Sequence, residues 1–131
     1  HPRSGPNQEF PMRRIPTLLA FSLLLAGAAA AQDPTHTDSG KYRVLLENEH
    51  VRVLEYTDAP GERTQLHRHP AFVVYALAPF TRALHLPDGR VLRREFQPGQ
   101  VMYSAGEAHV GENVGSTPTR ILMVELKEAR R

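Results

Sequence analysis

Closely spaced turn signals divide this sequence from Tyr42 onward into segments that are too short for most helices. Pro60-Gly61, Pro87-Asp88-Gly89 and Pro98-Gly99 are three of these signals, because proline and glycine supply the backbone angles that tight turns need. Between the turns lie apolar or alternating stretches such as 71–78 (AFVVYALA). A turn after every roughly 6–12 residues predicts about eight short strands and therefore an all-β sandwich or barrel.

The N-terminal region predicts a targeting segment and not a part of this fold. Arg13-Arg14 precedes an apolar run over 15–31, which ends in small residues with an Ala-x-Ala pattern. A basic start, a short apolar run and such an ending are typical of a secretory signal peptide. A membrane anchor is the alternative, but a span needs about 20 apolar residues. We therefore expect 1–31 to be an upstream extension plus a signal peptide, and the mature protein to be periplasmic or secreted.

The basic character of the chain belongs to this N-terminal region. Of the 16 basic and 14 acidic residues, three arginines and Glu9 precede Gln32, so the remainder carries 13 of each and has no net charge. Bulk charge therefore gives the mature chain no reason to bind nucleic acid or, after signal cleavage, an anionic membrane. The sequence has no cysteine, so no disulfide stabilises the fold.

The rest of the chain has the length of one domain. Residues 32–41 are rich in Asp, Thr, Ser, Pro and Gly, a composition that predicts a flexible lead-in. Residues 42–127 are expected to form a single β domain. Such a small barrel has exposed strand edges to cover, and we therefore expect a homodimer.

Three histidines are candidates for a metal site. His67 and His69 are separated by one residue, a spacing that places both rings on one face of a strand but on nearly opposite sides of a helix. His109 comes from a distant hairpin, and its imidazole could complete a site with them. The alternative is that His67 and His69 are partly exposed strand residues and that His109 is a loop residue.

These residues resemble the two sequence motifs of the cupins. Gly61-x5-His67-x-His69 fits the opening of the first motif, and Gly106-x2-His109-x3-Asn113 fits the closing half of the second. The resemblance covers 44–127 and includes features of small, often exported, single-domain cupins of unassigned activity. It implies a cupin-type antiparallel β-barrel, also called a double-stranded β-helix or jelly roll, with a divalent metal ion inside.

The sequence departs from the cupin pattern at two points. The glutamate of the first motif would fall at position 73 or 74, and both are valine. The proline of the second motif is also absent, with Ser104 in its place. The resemblance therefore implies three imidazole ligands, His67, His69 and His109, and no carboxylate. Fe, Mn, Ni, Cu and Zn all accept such a ligand set.

Three classes of function are compatible with such a site. The first is a metal-dependent enzyme, an oxygenase or an isomerase, that acts on a small polar or anionic molecule. The second is a module that binds a small ligand without turnover. The third is a degenerate cupin that has lost its metal, for which the missing glutamate is the main argument. The sequence alone leaves open whether the protein is an enzyme, and it carries no signature of a particular substrate.

Several other residues are expected to have ordinary structural roles. Tyr75 and Tyr103 are predicted to pack in the core, with cavity lining as the alternative. His85 lies beside a predicted hairpin turn and is expected at the surface. Glu107 and Glu112 flank His109. We expect them to be solvated charges, although a carboxylate that orients a metal ligand is the alternative.

Overall fold

The computed structural model describes residues 32–128. The predicted signal peptide within 1–31 lies outside the described residues, as do the last three residues. The described part contains one short helix and nine strands. They are α1 (Pro34–Thr37), β1 (Tyr42–Glu47), β2 (Val51–Asp58), β3 (His67–His69), β4 (Phe72–Ala76), β5 (Phe80–His85), β6 (Val91–Phe96), β7 (Val101–Ser104), β8 (Glu107–Asn113) and β9 (Thr119–Leu126).

The strands form two sheets that enclose one core. The first sheet has the order β1-β2-β9-β4-β7, and the second has the order β3-β8-β5-β6. All pairings between these strands are antiparallel. The core contains side chains from both sheets, among them Phe72, Met123 and Phe80. The prediction of an all-β, antiparallel fold is therefore confirmed. Within the described residues, no helix has the length and apolar character that crossing a membrane requires.

Along β2 and β9, which are neighbours in the larger sheet, successive side chains point alternately into and out of the core. Leu54 lies opposite Met123, and Tyr56 lies opposite Ile121. All four are buried, whereas the residues between them are only partly buried. Each large side chain that leaves water in this way contributes roughly 1.5–3 kcal/mol to folding.

The lead-in is more ordered than its composition predicts. Residues 34–37 form one helical turn, which Asp33 caps by accepting a hydrogen bond from the backbone of Thr35. Asp38 is buried and accepts a hydrogen bond from the backbone nitrogen of Gln65 at 3.0 Å. Polar residues order this segment because the barrel supplies their hydrogen-bond partners.

One further expectation and one of the alternatives given above are wrong. Tyr75 and Tyr103 do not pack in the core, because they are 45% and 64% exposed and point away from it. His109 is not a loop residue, because β8 begins at Glu107 and includes it. The backbone hydrogen bonds of β8 to β3 and β5 hold this segment extended, although glycine and charged residues weaken its strand pattern in the sequence.

Candidate metal centre

The three candidate histidines converge at one end of the core. His67 on β3 lies directly opposite His109 on β8, and His69 follows on the same face of β3. One nitrogen from each ring lies within 4.8 Å of the others. The ring centroids are 4.7 to 5.3 Å apart. All three residues are at least 94% buried, since their exposed fractions are 0%, 2% and 6%. None of them is a surface residue.

The short strand β3 and the glycine before β8 explain this convergence. Along β3 the two histidines are buried, and Arg68 between them is exposed. Gly106 has a φ of 109°, which side chains disfavour. A Cβ at this position would lie 3.0 Å from the carbonyl oxygen of His69. Glycine therefore lets the turn between β7 and β8 approach β3 closely enough to pair the histidines.

A carboxylate faces the Nδ1 atom of each histidine. The Nδ1 atom of His69 lies 2.9 Å from Glu125. The Nδ1 atom of His109 lies 3.2 Å from Glu107, and that of His67 lies 3.3 Å from Asp38. An ionised carboxylate can only accept a hydrogen bond, so each Nδ1 carries the proton and donates it. This arrangement directs the lone pair of each Nε2 atom away from the carboxylates, as in many metal-binding histidines.

Among the described residues, the Nε2 atoms of His69 and His67 have no adequate partner. Nε2 of His69 is buried and makes no hydrogen bond within the described residues. Nε2 of His67 lies 3.5 Å from the hydroxyl of Tyr42, which is at the limit of hydrogen bonding. Buried polar atoms are nearly always satisfied, and exceptions point to a missing ion or water. Three neutral imidazoles are a good ligand set for a divalent transition metal ion, so the donor set fits such an ion.

Burial keeps the imidazoles of His67 and His109 in the neutral form that binds metal. Burial, together with the nearby His69 and His109, lowers the pKa of His67 to about 3. Burial also lowers the pKa of His109. The hydrogen bond from His109 lowers the pKa of Glu107 below its usual value. Burial alone would raise the pKa of Glu125, but its hydrogen bonds to His69 and Arg52 lower it.

Arg52 connects the carboxylate behind His69 to the lead-in. Its Nε and Nη2 atoms both lie 2.7 Å from Oε1 of Glu125. Its Nη1 atom lies 2.9 Å from Oδ2 of Asp33. The chain Asp33–Arg52–Glu125–His69 therefore fixes the orientation of one candidate ligand.

The position of the missing cupin glutamate is identified by side-chain direction. Val74 is buried and faces the core, whereas Val73 is half-buried and lies on the outer face of its sheet. Of the two positions, 74 is therefore the one from which a carboxylate would face the core.

Sequence reasoning found the three imidazoles but missed most of the residues that orient them. The structure brings His67, His69 and His109 together. Glu107, expected to be a solvated charge, instead contacts His109. Asp38 and Glu125 were not singled out at all, although Glu125 continues the inward-facing positions of β9. His85 and Glu112, the other residues that were expected at the surface, lie away from the cluster. His85 is half-buried, and its Nε2 atom lies 3.0 Å from Oε1 of Glu112.

A small, largely apolar cavity of about 50 Å³ adjoins the histidine cluster. His109, Tyr42 and Arg82 contribute polar groups to its wall. Stacked Phe80 and Phe96, with ring centroids 4.7 Å apart, form part of the apolar lining. This volume is below that of most ligand pockets, so a ligand larger than a few water molecules would have to displace side chains of the lining.

Solved structures with a similar fold include cupins and proteins with a double-stranded β-helix domain. A cupin domain from Bordetella pertussis is 27% identical, covers 66% of this chain and 92% of its own, and has a TM-score of 0.61. An RmlC-like cupin family protein with a double-stranded β-helix fold from Methanocaldococcus jannaschii is 17% identical, covers 66% and 78%, and has a TM-score of 0.54. A polyketide cyclase from Streptomyces resistomycificus is 26% identical, covers 66% and 64%, and has a TM-score of 0.50. No protein-family model and no curated protein matches the sequence.

The strand topology, the two partial motifs and these structural likenesses agree with one another. The strands that carry the motifs, β3 and β8, are paired in the structure, and their histidines form a group that could hold a metal ion. This chain is a member of the cupin superfamily.

Proposed function

We propose that this protein binds a divalent metal ion through His67, His69 and His109 and acts on a small molecule in the adjoining cavity. The observation that carries this proposal is the buried Nε2 atom of His69, which has no partner within the described residues. Its Nδ1 is already committed to Glu125, so Nε2 presents a lone pair that a cation would satisfy.

The best-supported reaction class is a rearrangement of a carbonyl compound, such as an isomerisation or a ring closure. A similar solved structure is a polyketide cyclase. When bound, a divalent ion supplies Lewis-acid polarisation of a carbonyl or similar oxygen. This chemistry needs no oxidant, and it leaves proton transfer to the protein.

Tyr42 is the residue placed to supply a proton or a hydrogen bond. Its hydroxyl lies 3.5 Å from Nε2 of His67 and also borders the cavity. Burial raises the pKa of Tyr42 well above its usual value, so the oxygen keeps its proton at neutral pH. The apolar walls around it, including Phe72 and Met123, exclude water from a ligand that receives this proton.

Metal content provides the first test. Purified protein is loaded with Zn, Fe, Mn, Ni and Cu in separate experiments and analysed beside His67→Ala, His69→Ala and His109→Ala. We expect each substitution to abolish tight binding, because each removes one of three protein ligands. His85→Ala is the matched control, since it lies outside the cluster. Equal metal content in all variants would refute the metal site and leave a metal-free ligand-binding module or a degenerate cupin.

Oxygen consumption distinguishes the two enzyme classes. If the protein catalyses such a rearrangement, we expect turnover of a carbonyl substrate without uptake of O2. O2 uptake that depends on the loaded metal would instead identify an oxygenase. Binding without any turnover would identify a non-catalytic module.

Export is part of the proposal and rests on the apolar run over 15–31. N-terminal sequencing of protein from the export fraction is expected to give a mature chain that begins near Gln32. A mature chain that retains this run would refute the prediction.

A further inference from the structure

Residues 32–38, which precede β1, lie beside the histidine cluster, and we call them the strap. The carbonyl oxygen of Gln32 accepts a hydrogen bond from the backbone nitrogen of Arg68 on β3 at 2.9 Å. At the other end of the strap, Oδ2 of Asp38 lies 3.3 Å from Nδ1 of His67. Both ends of the strap are therefore fastened to the strand that carries two of the three candidate ligands.

The strap also acts on His69, through two intermediate side chains. Oδ2 of Asp33 lies 2.9 Å from Nη1 of Arg52. The same guanidinium holds Glu125, whose Oε2 lies 2.9 Å from Nδ1 of His69. Because Arg52 bridges the two carboxylates, docking of Asp33 restricts the position of Glu125 and of the imidazole that it contacts.

The strap is held mainly by polar contacts. Of the four residues of α1, only Pro34 is buried, and Asp33 caps this single turn by accepting a hydrogen bond from the backbone nitrogen of Thr35. One isolated helical turn is not stable in water. A segment with few buried apolar contacts opens at a lower free energy than the core strands do. The strap can therefore open while the barrel stays folded.

Opening of the strap would change the imidazole of His67. While the strap is docked, Asp38 accepts the hydrogen bond of Nδ1–H and the lone pair stays on Nε2. Without this acceptor, a neutral imidazole can carry its proton on either nitrogen. A proton on Nε2 blocks the lone pair that a metal ion would bind. The affinity for metal therefore depends on whether the strap is docked.

We infer that the strap is a conformational switch for the metal centre: when docked it orients His67 and His69 for binding, and when open it releases both. Asp33 and Asp38 are then positioning residues. This inference deepens the proposed function and rests on it, because it concerns the regulation of the same metal site. Coupling between two equilibria is reciprocal. A bound ion must therefore hold the strap closed by the same factor by which opening weakens binding.

Hydrogen exchange of the strap amides, with and without saturating Zn²⁺, tests this coupling. The backbone nitrogens of Thr37 and Asp38 donate to carbonyls within the strap and exchange with solvent when it opens. We expect Zn²⁺ to slow their exchange at least about tenfold. The amide of Gly89, which donates to Leu86 in an exposed turn, is the internal control and should not change.

Two variants show how the effect is transmitted. His109→Ala removes a candidate ligand on another strand, so Zn²⁺ should no longer slow the exchange of the strap amides. Asp33→Asn keeps the acceptor that caps α1 but removes the charge that binds Arg52. In metal-free protein it should speed the exchange of the strap amides by about threefold. Asp88→Asn is the matched control, because Asp88 lies in an exposed turn and accepts hydrogen bonds from Arg90.

Zn²⁺ that binds but leaves the exchange of the strap amides unchanged would overturn the inference. Equal slowing at Gly89 would overturn it as well, because the ion would then tighten the whole protein. If the wild type binds no Zn²⁺, the metal function is refuted and the metal-free protein decides for the strap.

Nitrogen-15 NMR of the metal-free imidazoles provides that decision. The proton of His67 is expected on Nδ1 in the wild type, and Asp38→Ala should give a mixture of both tautomers. Should Asp38→Ala fail to fold, Asp33→Asn is measured in its place with the same two outcomes. A His67 tautomer that does not respond to the substitution would overturn the inference.

Discussion

Nδ1 of His69 lies 2.9 Å from Oε2 of Glu125, and both residues are buried. The carboxylate fixes the proton on Nδ1 and leaves the lone pair of Nε2 without a partner. Glu125 is itself held by Arg52. The orientation of this candidate ligand therefore depends on residues that could never touch the metal.

Glu125→Gln is expected to lower the affinity for Zn²⁺ by about 10- to 100-fold, because loss of the charge weakens the hydrogen bond that orients His69. Competition with a chromophoric chelator measures the change. Glu112→Gln is the control, because this residue contacts His85 and not the cluster. Thermal unfolding of both metal-free variants separates a local effect from general destabilisation. An affinity equal to that of the control would show that the carboxylate has no role in binding.

The metal-free protein is expected to lose stability as the pH falls from 7.5 to 5. Burial lowers the pKa of His67 from 6.5 to about 3, so in this range the unfolded chain takes up a proton that the folded chain does not. The stability from His67 is fully present above about pH 6.5 and is lost as the pH falls toward 3. His67 alone should account for a loss of about 2 kcal/mol between pH 7.5 and 5.

Urea denaturation at several pH values measures this dependence. His67→Gln should flatten the curve, whereas exposed His50→Gln should leave it unchanged. The stabilisation that bound metal adds should also decrease at low pH, since protons compete for the same nitrogen atoms. An equal slope in the wild type and His67→Gln would rule out a lowered pKa at this residue.

The strands and the three imidazoles were predictable because their signals are local. Pro87-Asp88-Gly89 and Pro98-Gly99 bracket 91–96, and a strand lies between these turns in the structure. The one-residue spacing of His67 and His69 requires a common face as soon as the segment is extended. His109 was recognised from its motif.

The residues that orient the imidazoles depend on distant parts of the chain, which local patterns do not reveal. Asp38 lies in a polar segment typical of a loop, and only the packing against β3 orders it. Glu125 could have been noticed, because it shares the inward-facing side of β9 with Ile121 and Met123. A charged residue at such a position needs a buried partner. Its partner, His69, is 56 residues away in sequence.

The homodimer remains a prediction, and the outer face of the larger sheet gives it a location. One row of apolar side chains crosses all five strands of this sheet, through the pairings of Leu46, Val53, Val124, Val73 and Tyr103. Leu46 and Tyr103 are 49% and 64% exposed. Five strands about 4.8 Å apart span roughly 20 Å, and a contiguous apolar face of this size is typical of an interaction surface.

Sedimentation of the mature domain at micromolar concentration tests this pairing. The wild type is expected to be a dimer, and the double variant Tyr75→Lys/Tyr103→Lys a monomer, because lysines on facing sheets would be desolvated without partners. Val91→Lys is the control, since Val91 is 55% exposed on β6 of the other sheet. A monomeric wild type would contradict the prediction. A dimer that survives the double substitution would place the interface elsewhere.

Val74→Glu restores a carboxylate at the position where the cupin motif has one. Val74 is 4% exposed, so an unpaired glutamate there should destabilise the metal-free protein by roughly 2–4 kcal/mol. A divalent ion on the three histidines would offset this cost by accepting the carboxylate as a fourth ligand. We therefore expect Zn²⁺ to raise the melting temperature of Val74→Glu more than that of the wild type. Val73→Glu, on the outer face, should respond to Zn²⁺ as the wild type does. Equal metal-induced shifts in all three proteins would show that position 74 lies outside the reach of the ion.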